Sequence, residues 1–263
     1  MKSIIQKLAA LAMLMVGVGV ANIAFGADGQ LRFGLEASYK PFESKLPNGQ
    51  LEGFDIDIGQ AVCAKLNVQC VWVENAFDGL IPALKARKFD AINSAMTLTE
   101  QRRRAIDFTE PIYRIPSRLI AKREVTLLPN TASLKGKHVG VLQGSIQEKY
   151  ANVHWAPAGV RVVPYQTQDQ VYADLIAGRL DAGFQDTEAA SKGLLSQPHG
   201  AGFSFSGPIV VDDKLLGAGV AFGVRKGNDA LKEKLDQALK ALKADGSLKR
   251  IAEKYFDMDV VLD

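Results

Sequence analysis

The sequence predicts an α/β protein with two lobes and mostly parallel sheets. Short apolar strands alternate with amphipathic helices along the chain, which is the pattern of βαβ units. The eleven residues that begin at Leu84 resemble the eleven that begin at Leu175, about 90 positions later. That spacing is too long for a solenoid repeat and indicates two similar lobes. Of the 263 residues, 47% are hydrophobic and 23% are charged, which are globular proportions.

Each element is predicted from its periodicity and its bounding turn residues. Phe54–Leu66 is the clearest helix, because Ile56, Ile58, Val62 and Leu66 are spaced to share one face. The predicted strands are 31–35, 71–73, 89–94, 139–142, 182–185 and a glycine-interrupted segment, 216–224. The other predicted helices are 80–86, from 99 onward, from about 146, 169–177, 229–244 and 247–255.

The chain is expected to cross twice between the lobes. Residues 113–117 read as an extended connection, and the return is expected near 212–217. Two crossover strands would form a hinge and leave a cleft between the lobes. The predicted lobes are therefore 27–114 together with 216–263, and 115–215.

The first 26 residues are predicted to be a secretory signal peptide. Lys2 and Lys7 precede an apolar stretch, and Ala24-Phe25-Gly26 places small residues where a signal peptidase reads. A membrane anchor is the alternative, because the stretch approaches spanning length. The polar turn that follows favours cleavage after Gly26. Removing two lysines changes the net charge from +3 to +1, so an exported, soluble protein in the periplasm is expected.

Charge and motifs exclude several classes of protein. Lys+Arg minus Asp+Glu is 32 − 29 = +3, which argues against a nucleic-acid binder. Three dispersed histidines and two cysteines do not make a zinc site, so no metal and no cofactor is expected. No nucleophile elbow, phosphate-binding glycine loop or His-Glu-x-x-His is present, so enzymatic activity has little support. A monomer is expected.

Cys63 and Cys70 are expected to form a disulfide. An isolated cysteine pair in an exported protein usually forms a disulfide. Closing this short loop contributes on the order of 2 kcal/mol to the stability of the folded protein. Two buried thiols are the alternative. A redox-active pair would need the Cys-x-x-Cys spacing, which this pair lacks.

Polar residues follow three of the predicted strands. In open α/β sheets, ligands bind just beyond the carboxyl ends of the strands. After the strand that ends at Ser94, Thr97-x-x-Glu100 is a capping-box pattern. Arg102 lies in the first turns of that helix, where a cation opposes the macrodipole unless an anion sits between them. Its guanidinium could clamp a carboxylate with two hydrogen bonds. A solvated basic face made by Arg102-Arg103-Arg104 is the alternative.

The other two places complete a site for a zwitterion. Gly144 permits a tight turn before Ser145-x-x-Glu148, which repeats the capping box and is otherwise an ordinary helix start. Asp186 ends a predicted strand and is either a plain N-cap or an acceptor for a ligand ammonium group. An anion clamp facing a cation acceptor across a cleft suits the backbone end of a free amino acid.

Several motifs occur in an order that is specific to one family. They are 38–44 (Ser-Tyr-Lys-Pro-Phe-Glu-Ser), 53–57 (Gly-Phe-Asp-Ile-Asp), the cysteine pair, 78–84 (Asp-Gly-Leu-Ile-Pro-Ala-Leu), 139–144 (Val-Gly-Val-Leu-Gln-Gly), 184–186 (Phe-Gln-Asp), and 244–246 with 254–256. On these residues the chain resembles the periplasmic solute-binding proteins for polar amino acids, especially the lysine/arginine/ornithine- and histidine-binding proteins of bacterial ABC importers. The resemblance implies a type II periplasmic-binding-protein-like fold on two crossover strands. It also implies capture of a basic amino acid in the cleft and delivery to an inner-membrane ABC permease with its ATPase.

The resemblance further implies how a ligand is held. Arg102 would bind the α-carboxylate with help from Thr97 and Ser145, and Asp186 would pair with the α-ammonium beside Ser94 and Ala95. The ligand side chain would be contacted by Glu36, Tyr39, Phe77, Leu142, Ile146 and Gln147. Stacking on Tyr39 would add ~1 kcal/mol for a cationic side chain.

Three positions depart from the pattern of the family members that the chain resembles most. Glu36 replaces an aspartate that faces the distal cation, Ala95 replaces the second serine of a Ser-Ser pair, and Phe77 replaces a leucine. Glu36 keeps the negative charge, so a basic side chain stays favoured. Its extra methylene and the larger Phe77 narrow the pocket, which leaves the preferred basic amino acid open.

Two other functions fit the same fold. The first is an exported enzyme like cyclohexadienyl dehydratase, in which Glu36 would act as a general acid. Asp186 argues against it, because a dicarboxylic substrate without an ammonium group would meet an unpaired negative charge there. The second is a soluble sensor that presents its closed form to a receptor.

Overall fold

The computed structural model describes residues 29–262, so the predicted signal peptide, 1–26, lies outside the described residues. The strands are β1 (Gln30–Leu35), β2 (Ser38–Tyr39), β3 (Glu43–Lys45), β4 (Leu51–Glu52), β5 (Gln69–Glu74), β6 (Ala91–Ile92), β7 (Ile106–Phe108), β8 (Ser117–Lys122), β9 (His138–Leu142), β10 (Arg161–Tyr165), β11 (Ala182–Asp186), β12 (Phe203–Val210) and β13 (Gly223–Arg225). The α-helices are α1 (Phe54–Leu66), α2 (Leu80–Lys85), α3 (Glu100–Arg103), α4 (Thr131–Leu134), α5 (Ile146–His154), α6 (Gln168–Ile176), α7 (Thr187–Ala190), α8 (Asp229–Ala244) and α9 (Ser247–Ala252). Short 3-10 turns lie at Phe77–Gly79, Ala156–Ala158 and Pro198–Gly200, and a π-helical turn lies at Ser191–Leu195.

Two five-stranded sheets define the two lobes. The first lobe contains the order β5-β1-β6-β13-β7, and the second contains β10-β9-β11-β8-β12; β2, β3 and β4 form a small third sheet. In each large sheet the first three strands are parallel and the other two pairings are antiparallel. Half of the pairings are therefore parallel, and one strand in each sheet, β13 or β8, runs against the other four. The antiparallel pairings follow from the crossings, because β8 enters the second sheet and β13 returns to the first.

The internal repeat marks the same position in both lobes. Its two strands, β6 and β11, lie at the centre of their sheets. Asp90, before β6, accepts a hydrogen bond from the backbone N–H of Arg32 at 3.1 Å, and Asp181, before β11, accepts one from His138 N–H at 2.8 Å. Each aspartate thus ties the start of its strand to the neighbouring strand, and the two-lobe prediction is confirmed.

The first lobe is built around α1. Its limits agree with the predicted helix, since Gly53 precedes it and Asn67, with φ 53°, ends it in the left-handed region. Buried Phe54 and Ile58 pack into one core that includes residues of α8 and α9. The second lobe has its own core around the fully buried Trp155. Within residues 29–262, none of the helices has both the length and the apolarity that a membrane span requires.

The two chain crossings meet at one backbone bridge. Tyr113 pairs antiparallel with Val220, and Tyr113 also pairs with Val261 near the C-terminus. The predicted strand 216–224 is wrong, because only its last two residues belong to β13. Gly217 and Gly219 have φ values of 73° and 138°, which take the backbone out of the β region. The lobe boundaries at 114–115 and 215–216 remain predictions.

Three other local predictions are corrected. The helix after Thr99 is only the four residues of α3, and its cap is Thr99, whose hydroxyl accepts the Arg102 N–H at 3.2 Å. Thr97 is not the cap, because its backbone bridges to Val220 instead. The predicted strand 89–94 is reduced to Ala91–Ile92, and the helix predicted to end at 255 ends at Ala252.

The predicted disulfide is confirmed. Cys63 in α1 and Cys70 in β5 are bonded, with their Cα atoms 5.7 Å apart. The bond fastens the end of the helix to the edge strand of the first sheet.

Candidate functional site

A small cavity, about 20 Å³, lies where the two lobes meet. Both lobes contribute to its wall, and the lining residues are Tyr39, Phe77, Ala95, Thr97 and Arg102 from the first lobe and Leu142, Ser145, Ile146, Gln147 and Asp186 from the second. Ten of the twelve predicted ligand-binding residues thus surround one space. A concave site with a few convergent polar groups is the usual form of a small-molecule pocket.

Asp186 is the acidic group of this cavity. It is 7% exposed and sits at the end of β11, before α7, but its side chain does not cap that helix. Oδ2 accepts from the Tyr39 hydroxyl at 3.0 Å, and Oδ1 accepts from Gln147 Nε2 at 2.7 Å and from the Ser117 hydroxyl at 3.4 Å. Burial raises its pKa to about 6, although these donors and Arg102 act in the opposite direction. Asp186 is therefore an acceptor within the cavity and not a plain N-cap.

Arg102 is the basic group of the cavity. Its Nη1 donates to the carbonyl of Thr97 at 2.6 Å, and its Nη2 donates to the carbonyl of Gly144 on the other lobe at 3.0 Å. The guanidinium carbon lies 5.4 Å from the centre of the Phe77 ring. Burial lowers its pKa to about 10, so the group is charged at neutral pH. Two N–H bonds to carbonyls leave other donors of the fork for an anion.

The N-terminus of α5 forms part of the wall from the second lobe. The Ser145 hydroxyl accepts the Glu148 N–H at 3.0 Å, so the predicted cap is confirmed. The reciprocal half differs from a capping box, because Glu148 accepts from the N–H of Gly144 at 2.6 Å and not from that of Ser145. The helix therefore begins at the cavity with its first turn oriented by two side chains.

Glu36 and Ser94 do not line the cavity. Glu36 is 4% exposed at the end of β1, and its backbone N–H donates to the Ser94 hydroxyl at 3.0 Å. Its Oε2 has no hydrogen-bond partner among the described residues. Burial raises the pKa of Glu36 to about 7, with Asp169 and Glu74 adding to the rise and bonds from Ser38 opposing it. Ser94 adjoins Ala95 in the chain and Glu36 is bonded to Ser94, but neither residue forms part of the cavity wall.

Two further buried carboxylates were missed by sequence reasoning. Glu43 accepts from the Ser94 hydroxyl at 2.8 Å, and its Oε2 has no partner among the described residues. Asp55 accepts from the Ala95 N–H at 2.6 Å and from the Tyr113 hydroxyl at 2.8 Å. Asp55 therefore links the cavity wall to the chain crossing at Tyr113. Both residues belong to motifs on which the family resemblance is based. That resemblance is the one feature of the sequence from which they could have been predicted.

Burial raises the pKa of both of these carboxyl groups, and that of Glu43 lies well above its usual range. Among the described residues, Asp55 has two strong donors, while Glu43 has only the hydroxyl of Ser94. Hydrogen bonds to the charged form favour ionisation, so Asp55 is the member of the pair that carries the charge. Ala95 itself has φ 43°, an uncommon value for a residue with a Cβ, and Asp55 holds its N–H there.

A larger groove, about 880 Å³, lies on the first lobe between residues 110–112 and α8. Two of its charged side chains, Lys232 and Asp236, pair with each other at 2.7 Å. The buried polar atoms without partners in residues 29–262 belong to Glu36, Glu43 and Gln168, none of which lines this groove. Across the same described residues, no cluster of three or more His, Cys, Asp or Glu could hold a metal ion. The interlobe cavity is therefore the candidate site.

The fold and this cavity are those of an extracellular solute-binding protein. Residues 31–258 match the model of the family described as bacterial extracellular solute-binding proteins, family 3, and the chain belongs to that family.

The named relatives of this chain are also binding proteins. The histidine-binding periplasmic protein of Salmonella typhimurium (strain LT2) is 48% identical over 256 residues, 97% of this chain and 98% of the relative. The lysine/arginine/ornithine-binding periplasmic protein of Escherichia coli (strain K12) is 47% identical over 251 residues, 95% of this chain and 96% of the relative. A solved structure of an ancestral arginine-binding protein bound to arginine is 35% identical, with TM-score 0.81, and covers 88% of this chain and 100% of that one. These relatives are binding proteins, and the chain is a solute-binding protein and not an enzyme.

Proposed function

We propose that the protein binds a basic L-amino acid in the interlobe cavity and delivers it to a membrane permease. The observation that carries the proposal is the presence of Arg102 and Asp186 in the wall of one cavity, each from a different lobe. A free amino acid carries a carboxylate and an ammonium group on one carbon. Opposite charges on facing walls match that pair and select against a ligand with only one of them.

The ligand backbone would replace contacts that the protein now makes with itself. An α-carboxylate would accept from the Arg102 fork and from donors at Thr97 and Ser145. An α-ammonium would donate to Asp186, whose pKa is raised by burial. A bound ammonium would favour the charged carboxylate and lower that pKa.

The ligand side chain would meet aromatic rings and, beyond them, an acid. Tyr39 and Phe77 line the cavity from the first lobe, and Leu142 and Ile146 line it from the second. The backbone of Glu36 is bonded to Ser94, and one oxygen of its carboxylate lacks a partner among residues 29–262. A cationic group that reached it would satisfy that oxygen and favour the charged carboxylate. The relatives are named for binding histidine, lysine, arginine or ornithine, which supports a basic ligand.

The proposed cellular role of the protein is in transport. The relatives are periplasmic binding proteins, which supports a periplasmic location and work with an inner-membrane ABC permease and its ATPase. Ligand exchange would require the lobes to separate, and the crossings at Tyr113 and Val220 would act as the hinge. The protein would work as a monomer, because each copy of the chain contains both walls of the cavity.

Titration calorimetry with the twenty amino acids and ornithine tests the proposal. Basic amino acids are expected to bind first, glutamine far behind, and glutamate and aspartate undetectably. The double variant Arg102→Ala/Asp186→Ala is the control and should bind none of them. Glutamine or glutamate as the tightest ligand would overturn the basic specificity and leave only general amino-acid binding.

A further inference from the structure

A short polar contact joins the two lobes outside the cavity. Asp78 lies in the 3-10 turn of the first lobe, and Gln143 follows β9 in the second. Gln143 Nε2 donates to Asp78 Oδ2 at 2.6 Å. Neither residue lines the cavity, which is bounded by their neighbours Phe77 and Leu142.

The amide of Gln143 is held in one orientation. Gln166 Nε2 donates to Gln143 Oε1 at 2.7 Å, which requires the NH₂ group of Gln143 to point the other way, toward Asp78. The backbone N–H of Gln143 also donates to the Tyr165 carbonyl at 2.8 Å. Both restraints come from the second lobe itself, so the donor is in position before the lobes meet.

The next residue lets the lobes approach at this point. A Cβ atom on Gly144 would lie 2.8 Å from Cα and 2.9 Å from Cβ of Asp78. Such distances are too short for real side chains, so only glycine permits this approach. Gly144 also has φ 79°, and its carbonyl accepts from Arg102 of the first lobe. The lobes therefore meet here almost backbone to backbone.

We propose that Asp78 and Gln143 form a latch that holds the lobes together and sets how fast a bound ligand leaves. The inference rests on the proposed function and adds residues that touch no ligand. Because the contact lies outside the cavity, its effect is independent of the ligand side chain. An ionised acceptor strengthens the hydrogen bond, while exposure to solvent weakens it, so the effect of its loss is about three- to tenfold.

Stopped-flow kinetics of the full chain with arginine and with lysine test the latch. Asp78→Ala and Gln143→Ala are each expected to raise the dissociation rate about three- to tenfold for both ligands. The double variant should match the larger single effect, because both substitutions remove the same bond. Asp78→Asn, which keeps an acceptor oxygen, should restore most of the wild-type rate.

Lys45→Ala is the matched control, since it breaks an exposed contact of 2.5 Å with Glu74 inside the first lobe. It should leave the dissociation rate unchanged. The latch proposal would be contradicted if Asp78→Ala released ligand at the wild-type rate. It would also be contradicted if the two substitutions had additive effects on that rate in the double variant.

A measurement without ligand separates the failure of the latch from the failure of the proposed function. Small-angle scattering of the ligand-free protein is expected to give a larger radius of gyration for Asp78→Ala than for the wild type and the control. Equal radii would contradict the latch. Failure of the wild type to bind any amino acid would contradict the proposed function alone.

Discussion

The phenol oxygen of Tyr39 lies 3.0 Å from Oδ2 of Asp186, although the two residues are 147 positions apart and belong to different lobes. The other donors to this carboxylate, Gln147 and Ser117, come from the second lobe. Tyr39 is thus a donor that Asp186 has only when the lobes are together. Its bond favours the charged carboxylate, which is the form that an ammonium group would recognise.

We expect Tyr39→Phe to weaken the binding of every accepted amino acid by about three- to tenfold, because the ring stays and one hydrogen bond to Asp186 is lost.

Asp186→Asn should weaken the binding of basic and neutral ligands alike by about 10- to 100-fold, because the charge itself is removed. Calorimetry with arginine and glutamine measures both effects. A change in the order of ligand preference in Tyr39→Phe would argue against this role.

Arg102→Lys should weaken all accepted amino acids by a similar factor, about tenfold or more, because lysine is a point charge and lacks the planar fork. The same calorimetric series measures it, with Arg104→Lys as the control on the same basic run. Unchanged affinity in Arg102→Lys would place the clamp at Arg103 or Arg104, or elsewhere.

Glu36→Gln should remove most of the preference for basic over neutral ligands. A cation that reaches Glu36 gains a charge-assisted hydrogen bond of about 1.5–3 kcal/mol, which a neutral side chain does not gain. The ratio of arginine to glutamine affinities, in the variant and the wild type, is the measurement. If that ratio is preserved, the ligand side chain does not reach Glu36, and this role of Glu36 is contradicted.

The affinity for arginine should fall as the pH is lowered from 7.5 to 5.5. Glu36 and Asp186, with pKa values raised to about 7 and about 6, take up protons in this range and lose the charges that attract the ligand. Binding near pH 6.5 should therefore release protons, which calorimetry in buffers of different ionisation enthalpy detects.

Histidine should instead show an affinity maximum between these limits, because its own imidazole loses charge above ~6.5. Glu36→Gln serves as the control for both ligands and should flatten the upper part of each pH profile. An arginine affinity that rises toward pH 5.5 would contradict the role of these two carboxylates in attracting the ligand.

Replacing Cys63 and Cys70 by serine together should lower the free energy of unfolding by about 2 kcal/mol and Tm by about 4–8 °C. The bond lies within the first lobe, between α1 and β5, and neither cysteine lines the cavity. Calorimetric melting measures the loss, and ligand affinity should stay within about twofold. A large loss of affinity with an unchanged Tm would contradict this assignment.

Local pattern predicted the elements whose ends are set by nearby residues. The limits of α1 were predicted from the spacing of its apolar residues, and in the structure Gly53 and Asn67 lie directly beside it. The strand expected at 216–224 failed because apolar spacing does not show that Gly217 and Gly219 adopt positive φ values. Pattern likewise did not predict the antiparallel strands, since pairing depends on residues far apart in the chain.

The same limit applies to the site. The ten lining residues were all predicted, most of them through the family resemblance. Three residues that bond to members of the site but do not line it, Ser117, Glu43 and Asp55, were not predicted. An acidic residue near the start of a helix reads as a solvated first-turn charge. Asp55 is buried because Tyr113, 58 residues later, supplies a donor to it. The residues next to Asp55 in the sequence do not indicate that partner.

The order of strands in the first sheet determines when that lobe can finish folding. β13 (Gly223–Arg225) lies between β6 and β7, yet it is made after all the strands of the second sheet, which end at Val210. A chain that emerges N-terminus first therefore completes the second lobe while the first still lacks an interior strand and its last two helices. Domains usually fold in the order in which they emerge, and here the lobe that begins first must finish last. Pulse-labelled hydrogen exchange during synthesis should show protection in β9–β11 before β6 and β7.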